Sequence, residues 1–459
     1  MNCKSTYFVG MTEKEGQLVF FTKNKKYDTF KRMKKIKLGL IGLGTVGTGV
    51  IKIFNKNKEL IENKLGVNLE IKKIVDLDIT TNRGVDIDPK MLTTKVEDVI
   101  SDPEIEIVIS LVGGIHPEQE FILSALKNKK HIVTANKALL AKCGKEIFDT
   151  AYENGVRICF EASAGGGIPI IRSLGEGLAA NRIKSIFGIL NGTANFILTK
   201  MQSEKKNFKA ALNQARELGY AEADPTLDIE GIDTAHKLSI LSSMAFGQPI
   251  PLDKIYCEGI SQINTFDIEY ADEFGYCIKL LAIAKDAEKG IETRVHPTML
   301  PKDYLLSSVD GVFNAIYING DSVGPTMYYG QGAGQMPTAS AVWSDIMELI
   351  NKKFNSNSAN IYFEKNPKNI SDINNLWTKY YLRFSTLDQP GVLSKISGVL
   401  GAQKISIASV LQKERSAGNK VPIVMLTHEA CEADMQKALA EINKLDMIKD
   451  KTVLIRIEK

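Results

Sequence analysis

A strand, a glycine turn and a helix follow one another in IKLGLIGLGTVGTGVIKIF, and no other stretch of the chain restricts the fold as much. The run opens β-branched and Leu-rich, as a buried strand does, and beyond the turn its apolar residues recur at helical spacing. Gly42, Gly44 and Gly47 stand as G-x-G-x-x-G, with Leu43, Thr45 and Val46 between them. The first glycine permits the tight turn, the second lets a pyrophosphate approach the backbone, and the third lets helix and strand pack closely. The helix N-terminus adds free N–H groups for the phosphates. Alone the motif is a weak signal, but its context is complete: a second apolar strand, LEIKKIV, leads into Asp76, where an acid can hold a ribose 2′-OH. The segment Gly42–Gly47 and Asp76 are therefore expected to bind a dinucleotide.

Alternation continues through IEIVISLVGG, FILSALKN, HIVTANKALL, IFDTAYENG and RICFEASAGGGIPII. Strands and helices in that order predict right-handed crossovers and an α/β fold with a Rossmann-type, doubly wound parallel sheet over residues 36–180. The pattern then changes to strand-like SIFGILNGTANFIL, a polar helix through FKAALNQARELG, and later strands and loops, which reads as an α+β substrate domain over 181–350. An Asn-rich linker, 351–377, precedes β-α-β-β-α-β over 378–459, a C-terminal ferredoxin-like unit. Residues 1–35, ending in KRMKK, read as an extension ahead of the first strand.

Of the 459 residues 44% are apolar and 24% charged, and the net charge of +4 is too small to argue for nucleic acid. Cys3, Cys143, Cys159, Cys257, Cys277 and Cys431 are dispersed, with no C-x-x-C pair, so neither a disulfide framework nor structural zinc is signalled and a reduced, cytoplasmic setting is expected. No apolar run approaches the roughly 20 residues that span a bilayer, so no membrane partner is expected. A protein that acts on small molecules is expected.

Four places hold more polar chemistry than a core needs. In TANKALL, Lys137 follows a short strand at the carboxyl edge of the sheet, where ligands bind in such folds, although a solvated lysine has the same pattern. In FEASAGGGIPII a glutamate precedes small residues that expose backbone carbonyls; such an oxygen set suits a hard cation, and a flexible turn suits the sequence equally. LNGTANFI offers the uncharged donors Asn191, Thr193 and Asn195. GYAEADPTLDIEGIDTAHKL carries Glu222, Asp224, Asp228, Glu230 and Asp233, with Lys237 one helical turn after Asp233. A bare i,i+4 pair there contributes only about 0.2–0.5 kcal/mol; a polar pocket gripping a cation is the competing reading.

The stretch ARELGYAEADPTLDIEGIDTAHK resembles the signature of homoserine dehydrogenases, with Ala215, Gly219, Asp224, Pro225, Asp228, Gly231, Asp233 and Lys237 at its fixed places. TANKALL, FEASAGGGIPI, LNGTANFI and GQGAGQMPTASAVWSDI are similar to the same family, and DQPGVLSKIS with VPIVMLTHEA resembles its ACT regulatory domain. The resemblance implies NAD(P)H-dependent reduction of L-aspartate 4-semialdehyde to L-homoserine, on the route to threonine, methionine and isoleucine. It implies that Glu222 and Asp233 bind homoserine, that Thr193 and Asp228 shape the site, and that Lys237 donates the proton with Lys137 beside substrate and cofactor. Gly219 and Gly334 would border the cofactor, and Glu161 with the carbonyls of Ala164, Gly166 and Ile168 would hold a sodium ion. A homo-oligomer, dimer or tetramer, is also expected, with threonine as the leading effector at the ACT turn Asp388–Leu393, against methionine or a purely structural dimerising role.

Bacterial members often carry Arg just before the acid ending the second strand; here Val75 precedes Asp76, so NAD rather than NADP is expected, with Lys72, Lys73 and Arg83 nearby. A monofunctional enzyme is expected, since residues 1–35 cannot fold a kinase domain. Two readings compete: an aspartate-dehydrogenase-like reductase, which needs no such acidic signature, and an amino-acid sensor in which only the tail acts, against which Lys137, Glu222, Asp233 and Lys237 speak.

Overall fold

The computed structural model describes residues 34–353, 367–412 and 420–458, so nearly all of the expected N-terminal extension and the middle of the expected linker lie outside the described residues. Strand β1 (Lys35–Ile41) is buried at Leu38 and Leu40 and pairs in parallel on one side with β2 (Asn68–Val75) and on the other with β4 (Ile105–Ser110). With β3 (Leu92–Thr93), β5 (His131–Thr134) and β6 (Ile158–Cys159) they form a six-stranded sheet in the order β3-β2-β1-β4-β5-β6. The intervening helices are α1 (Thr45–Leu65), α2 (Glu97–Ile100), α3 (Glu118–Lys127) and α4 (Lys137–Glu153). This is the expected doubly wound sheet. Its strand order reverses beside β1, so the carboxyl ends of β1, β2 and β4 open a crevice there.

The second layer begins after α5 (Ile170–Arg172) with β7 (Ile183–Ile189). The strand expected to continue through LNGTANFIL stops at Ile189, and α6 (Gly192–Glu204) starts instead because the Asn191 side chain accepts the Ala194 N–H at 2.8 Å and caps it. Then come α7 (Phe208–Glu217), α8 (Thr226–Ile229), α9 (Ile232–Phe246), β8 (Tyr256–Cys257), α10 (Thr265–Glu273), β9 (Tyr276–Ala287), β10 (Gly290–Pro301), β11 (Phe313–Gly320) and β12 (Gly324–Gln331). Strands β7, β9, β10, β11 and β12 are antiparallel neighbours in the order β12-β11-β7-β9-β10. Helix α11 (Gln335–Lys353) turns back to the first layer: Trp343 stacks on Phe54 of α1 with ring centres 5.4 Å apart, and its Nε1 donates to the Val50 carbonyl at 2.9 Å.

The tail runs β13 (Trp377–Leu387), α12 (Val392–Ala402), β14 (Ile407–Leu411), β15 (Lys420–Thr427), β16 (Ala430–Cys431), α13 (Glu432–Ile442) and β17 (Ile448–Ile457), the ferredoxin-like order expected. Its sheet does not stand apart. β17 pairs in parallel with β10 at Thr298–Arg456 and Met299–Ile457, which fuses tail and substrate strands into one sheet. Buried charge pins the joint: Arg383 grips Asp267 at 2.7 and 3.1 Å, Tyr381 Oη donates to Asp267 at 3.0 Å, and Glu458 receives Lys285 and Arg294. Removing one partner of such a pair strands a buried charge, which costs about 3–5 kcal/mol.

Candidate active site

The glycine turn leaves β1 at Gly42, whose φ of +95° and approach to the Leu111 carbonyl, 2.9 Å from any added Cβ, both require glycine. At Gly47 an added Cβ would sit 2.1 Å from the Gly42 carbonyl, so strand and helix meet there as the motif demands, while Gly44 faces open space. These features fit a dinucleotide pyrophosphate. Asp76 closes the turn: its Oδ2 accepts the Leu43 N–H at 2.6 Å. Of the nearby cations, Lys72 is paired with Asp102 and Glu104, and Lys73 donates to the Lys90 carbonyl. Arg83 lies 3.7 Å from Asp76 Oδ1 and 3.2 Å from Asp78 Oδ2, so this acid does have a cation beside it. Gly334 precedes Gln335, which donates to the Thr45 carbonyl at 3.0 Å, bringing the start of α11 to the glycine turn.

At the end of β5, Asn136 caps α4 through the Leu139 N–H and ties down the loop after β4 through the carbonyls of Val112 and Gly114. Sequence reasoning missed Asn136; an Asn directly before a helical run was the available signal. The cap aims Lys137, the first residue of α4, out of the carboxyl edge of the sheet toward α9. There Lys137 Nζ lies 2.8 Å from Asp233 Oδ1. On the other oxygen, Oδ2, Asp233 receives Lys237 Nζ at 2.6 Å and Asn191 Nδ2 at 2.9 Å. Lys237 also donates to the Leu190 carbonyl at 2.7 Å, and Asn191 to Asp228 Oδ1 at 2.7 Å. Thr193 Oγ1 donates to the Tyr220 carbonyl at 2.7 Å, fixing the segment between Gly219 and Glu222. Gly219 ends α7 on this substrate side, and Glu222 is exposed beyond it.

The arrangement separates two lysines electrically. Burial works against the charge of Lys137, yet Asp233, with Asp228 and Glu222 beyond it, holds that ammonium above its ordinary value. For fully buried Lys237 desolvation prevails and its pKa falls below the usual lysine value, against the pull of Asp233. Burial opposes the Asp233 charge too, but Lys237 and Lys137 keep this carboxyl well below the usual range, whereas burial raises Asp228. One lysine is a fixed positive charge; the other can release its proton more readily.

Glu161, expected with the carbonyls of Ala164, Gly166 and Ile168 to hold a sodium ion, is buried at the end of the nucleotide sheet. Its two oxygens accept the N–H groups of Ile171 and Arg172 at 2.8 and 2.9 Å, and the Ile168 carbonyl accepts the Ile170 N–H. The Glu161 carboxylate is thus turned to the start of α5.

Family models described as "Homoserine dehydrogenase, NAD binding domain", "Homoserine dehydrogenase" and "ACT domain" match residues 42–161, 169–347 and 380–446. Over 433 residues the chain is 43% identical to the homoserine dehydrogenase of Pseudomonas aeruginosa, covering 93% of this chain and 99% of that protein. The chain belongs to the homoserine dehydrogenase family. A crystal structure of a homoserine dehydrogenase from Thiobacillus denitrificans shares the fold at a TM-score of 0.87 and 44% identity, covering 93% of this chain and 99% of that one. A hyperthermophilic archaeal homoserine dehydrogenase solved in complex with NADPH matches at a TM-score of 0.59 and 27% identity, over 69% of this chain and 98% of that one. As a homoserine dehydrogenase the protein is an oxidoreductase with a dinucleotide-binding domain and a C-terminal ACT domain. Among the described residues no helix is long and apolar enough to cross a membrane.

Proposed function

We propose that the protein interconverts L-aspartate 4-semialdehyde and L-homoserine with a nicotinamide cofactor, within the biosynthesis of threonine, methionine and isoleucine in the cytoplasm. The observation that carries this is the single carboxylate of Asp233 between Lys137 and Lys237, at the junction of the nucleotide sheet with α9. A bound nicotinamide supplies the hydride to the aldehyde carbon. As the carbonyl opens, its oxygen gains charge, and Lys237 Nζ transfers a proton to it while Lys137 stabilises the anion. Asp233 keeps both lysine heads in place, and with both of its oxygens engaged it serves the substrate chiefly through them. Glu222 and Asp228 are left to receive the substrate ammonium.

Asp76 accepts the ribose 2′-OH and repels a 2′-phosphate, which favours NAD; Arg83, 3.7 Å from Asp76, is positioned to moderate that preference. Threonine acts as effector at the turn Asp388–Leu393, where α12 begins after Gly391, and the enzyme works as a dimer or tetramer. The test of the catalytic reading is consumption of NADH or NADPH by purified protein with L-aspartate 4-semialdehyde, with homoserine identified as product. Turnover of another amino-acid carbonyl in its place, with none of the semialdehyde, overturns it.

A further inference from the structure

A cleft of about 410 Å³ lies where the tail meets the substrate domain, between α13, β17 and the segment after β8. Its floor is Arg456, almost fully buried, which donates through Nε and Nη2 to Glu432, through Nη1 to Glu258 at 2.9 Å and through Nη2 to Tyr256 Oη at 3.2 Å. Those bonds neutralise the guanidinium, so the cleft does not select a simple anion. Glu258, a half-buried carboxylate lining the cleft, accepts from both Arg456 and Tyr256 on Oε2, and its second oxygen, Oε1, takes part in neither bond. Lys451 stands exposed at the rim, and Ile263, Leu439 and Val453 supply an apolar wall. An acid for an ammonium, a lysine for a carboxylate and an apolar wall between them match a zwitterion with a modest side chain.

The same segment touches the joint between α8 and α9, which carry Asp228 and Asp233. A Cβ on Gly259 would sit 2.4 Å from Glu230 Oε2 and 2.5 Å from the Ile229 carbonyl, so the two backbones are in direct contact. The Ile260 N–H donates to the Ile229 carbonyl at 2.8 Å and Cys257 Sγ to the Glu230 carbonyl at 3.3 Å. Ile229 ends α8, which carries Asp228, and Gly231 opens α9, which carries Asp233. Whatever moves Glu258 and Gly259 therefore moves the joint between the two acids. We propose that this cleft binds a small L-α-amino acid, at elements other than the Asp388–Leu393 turn, and that its occupancy shifts substrate affinity through the contact of Gly259 with Glu230.

The test is calorimetry on the full chain with each standard L-α-amino acid in turn, in the parent protein and in Asp388→Ala, Ala440→Trp and Lys451→Ala variants. Ala440 is an exposed residue of α13 lining the cleft, and tryptophan there fills it. At least one amino acid is expected to bind parent and Asp388→Ala alike, and about tenfold or more weakly to the other two. That amino acid should also change the KM for the semialdehyde by about 5-fold or more. Absence of any binding, or binding that Ala440→Trp leaves intact, overturns the site; if that variant unfolds early, Lys451→Ala on its exposed strand position decides. An unchanged KM at saturation overturns the coupling. The KM measurement rests on the homoserine dehydrogenase reading and calorimetry does not, so binding without turnover would sink the catalytic reading and spare the cleft.

Discussion

Asp233 holds Lys137 on one carboxylate oxygen, at 2.8 Å, and Lys237 on the other, at 2.6 Å. The two lysines come from different layers of the fold, one from the start of α4 and one from within α9, so this carboxylate is also a bolt between the nucleotide and substrate layers. Substitution Asp233→Asn keeps the shape and removes the charge that compensates two cations. The variant is expected to lose about 3–5 kcal/mol of stability, as when one partner of a buried pair is removed. Denaturant unfolding of parent and variant measures this, and a loss within experimental error would mean that the lysines find other partners.

Burial lowers the pKa of Lys237 below that of an ordinary lysine, so the proton it donates is lost at lower pH than model lysine chemistry suggests. Semialdehyde reduction needs the ammonium and homoserine oxidation needs the amine. Reduction is therefore expected to decline, and oxidation to rise, as pH climbs toward the usual lysine range from below. Paired profiles of kcat in the two directions check this; parallel profiles would assign the limb to another group.

Glu118, at the start of α3, is fully buried, and desolvation pushes its pKa up to about 7 against the opposing pull of the Ser110 hydroxyl beside it. A carboxyl with a raised folded-state pKa holds its proton in the fold and loses it in the unfolded chain above about pH 4.5. Its burial therefore erodes stability as pH rises from the unfolded to the folded value, by about 3 kcal/mol in all. Glu118→Gln should match the parent near pH 4 and exceed it at pH 8. Equal stability of the two at pH 8 would show that the ionised acid is solvated.

The cofactor preference turns on Asp76 and Arg83. The parent is expected to show a higher kcat/KM with NADH than with NADPH, and Arg83→Ala to widen the gap by removing the cation beside Asp76. A parent that prefers NADPH would mean that Arg83 outweighs Asp76.

Regulation is tested by threonine added to the intact enzyme. Inhibition of about 5–150-fold is the expected scale of such coupling, and Asp388→Ala should abolish it. Because β17 continues the substrate sheet and Arg294 pairs with Glu458 across the joint, cutting off the tail would expose buried charge, so a point substitution is the cleaner probe.

Local patterns were legible in the sequence. The glycine turn, the alternation of strands and helices, the order of the tail and the residues Lys137, Asp228, Asp233 and Lys237 all follow from short-range spacing or from a signature contained in one stretch. What stayed hidden depends on contacts between distant parts. Two residue pairs, Thr298–Arg456 and Met299–Ile457, fuse the tail to the substrate sheet, and no periodicity announces so short a joint. The return of α11 to α1 rests on Trp343 finding Phe54. The helix beginning at Gly192 was read as strand because LNGTANFIL is rich in apolar and β-prone residues, while its start depends on one Asn cap. The contacts of Asp233 with Lys137 and Asn191 join residues far apart in the chain, and no spacing in its own stretch announces them.

Assaying semialdehyde reduction by the parent and by Lys237→Ala, alongside NADH binding by fluorescence, tests the central claim most directly. The parent is expected to form homoserine, and the variant to bind NADH as the parent does while its kcat falls by about 10²–10⁴, the share of a general acid. A variant that turns over at close to the parent rate would contradict the role given to Lys237 and, with it, the account of why Asp233 sits between two lysines.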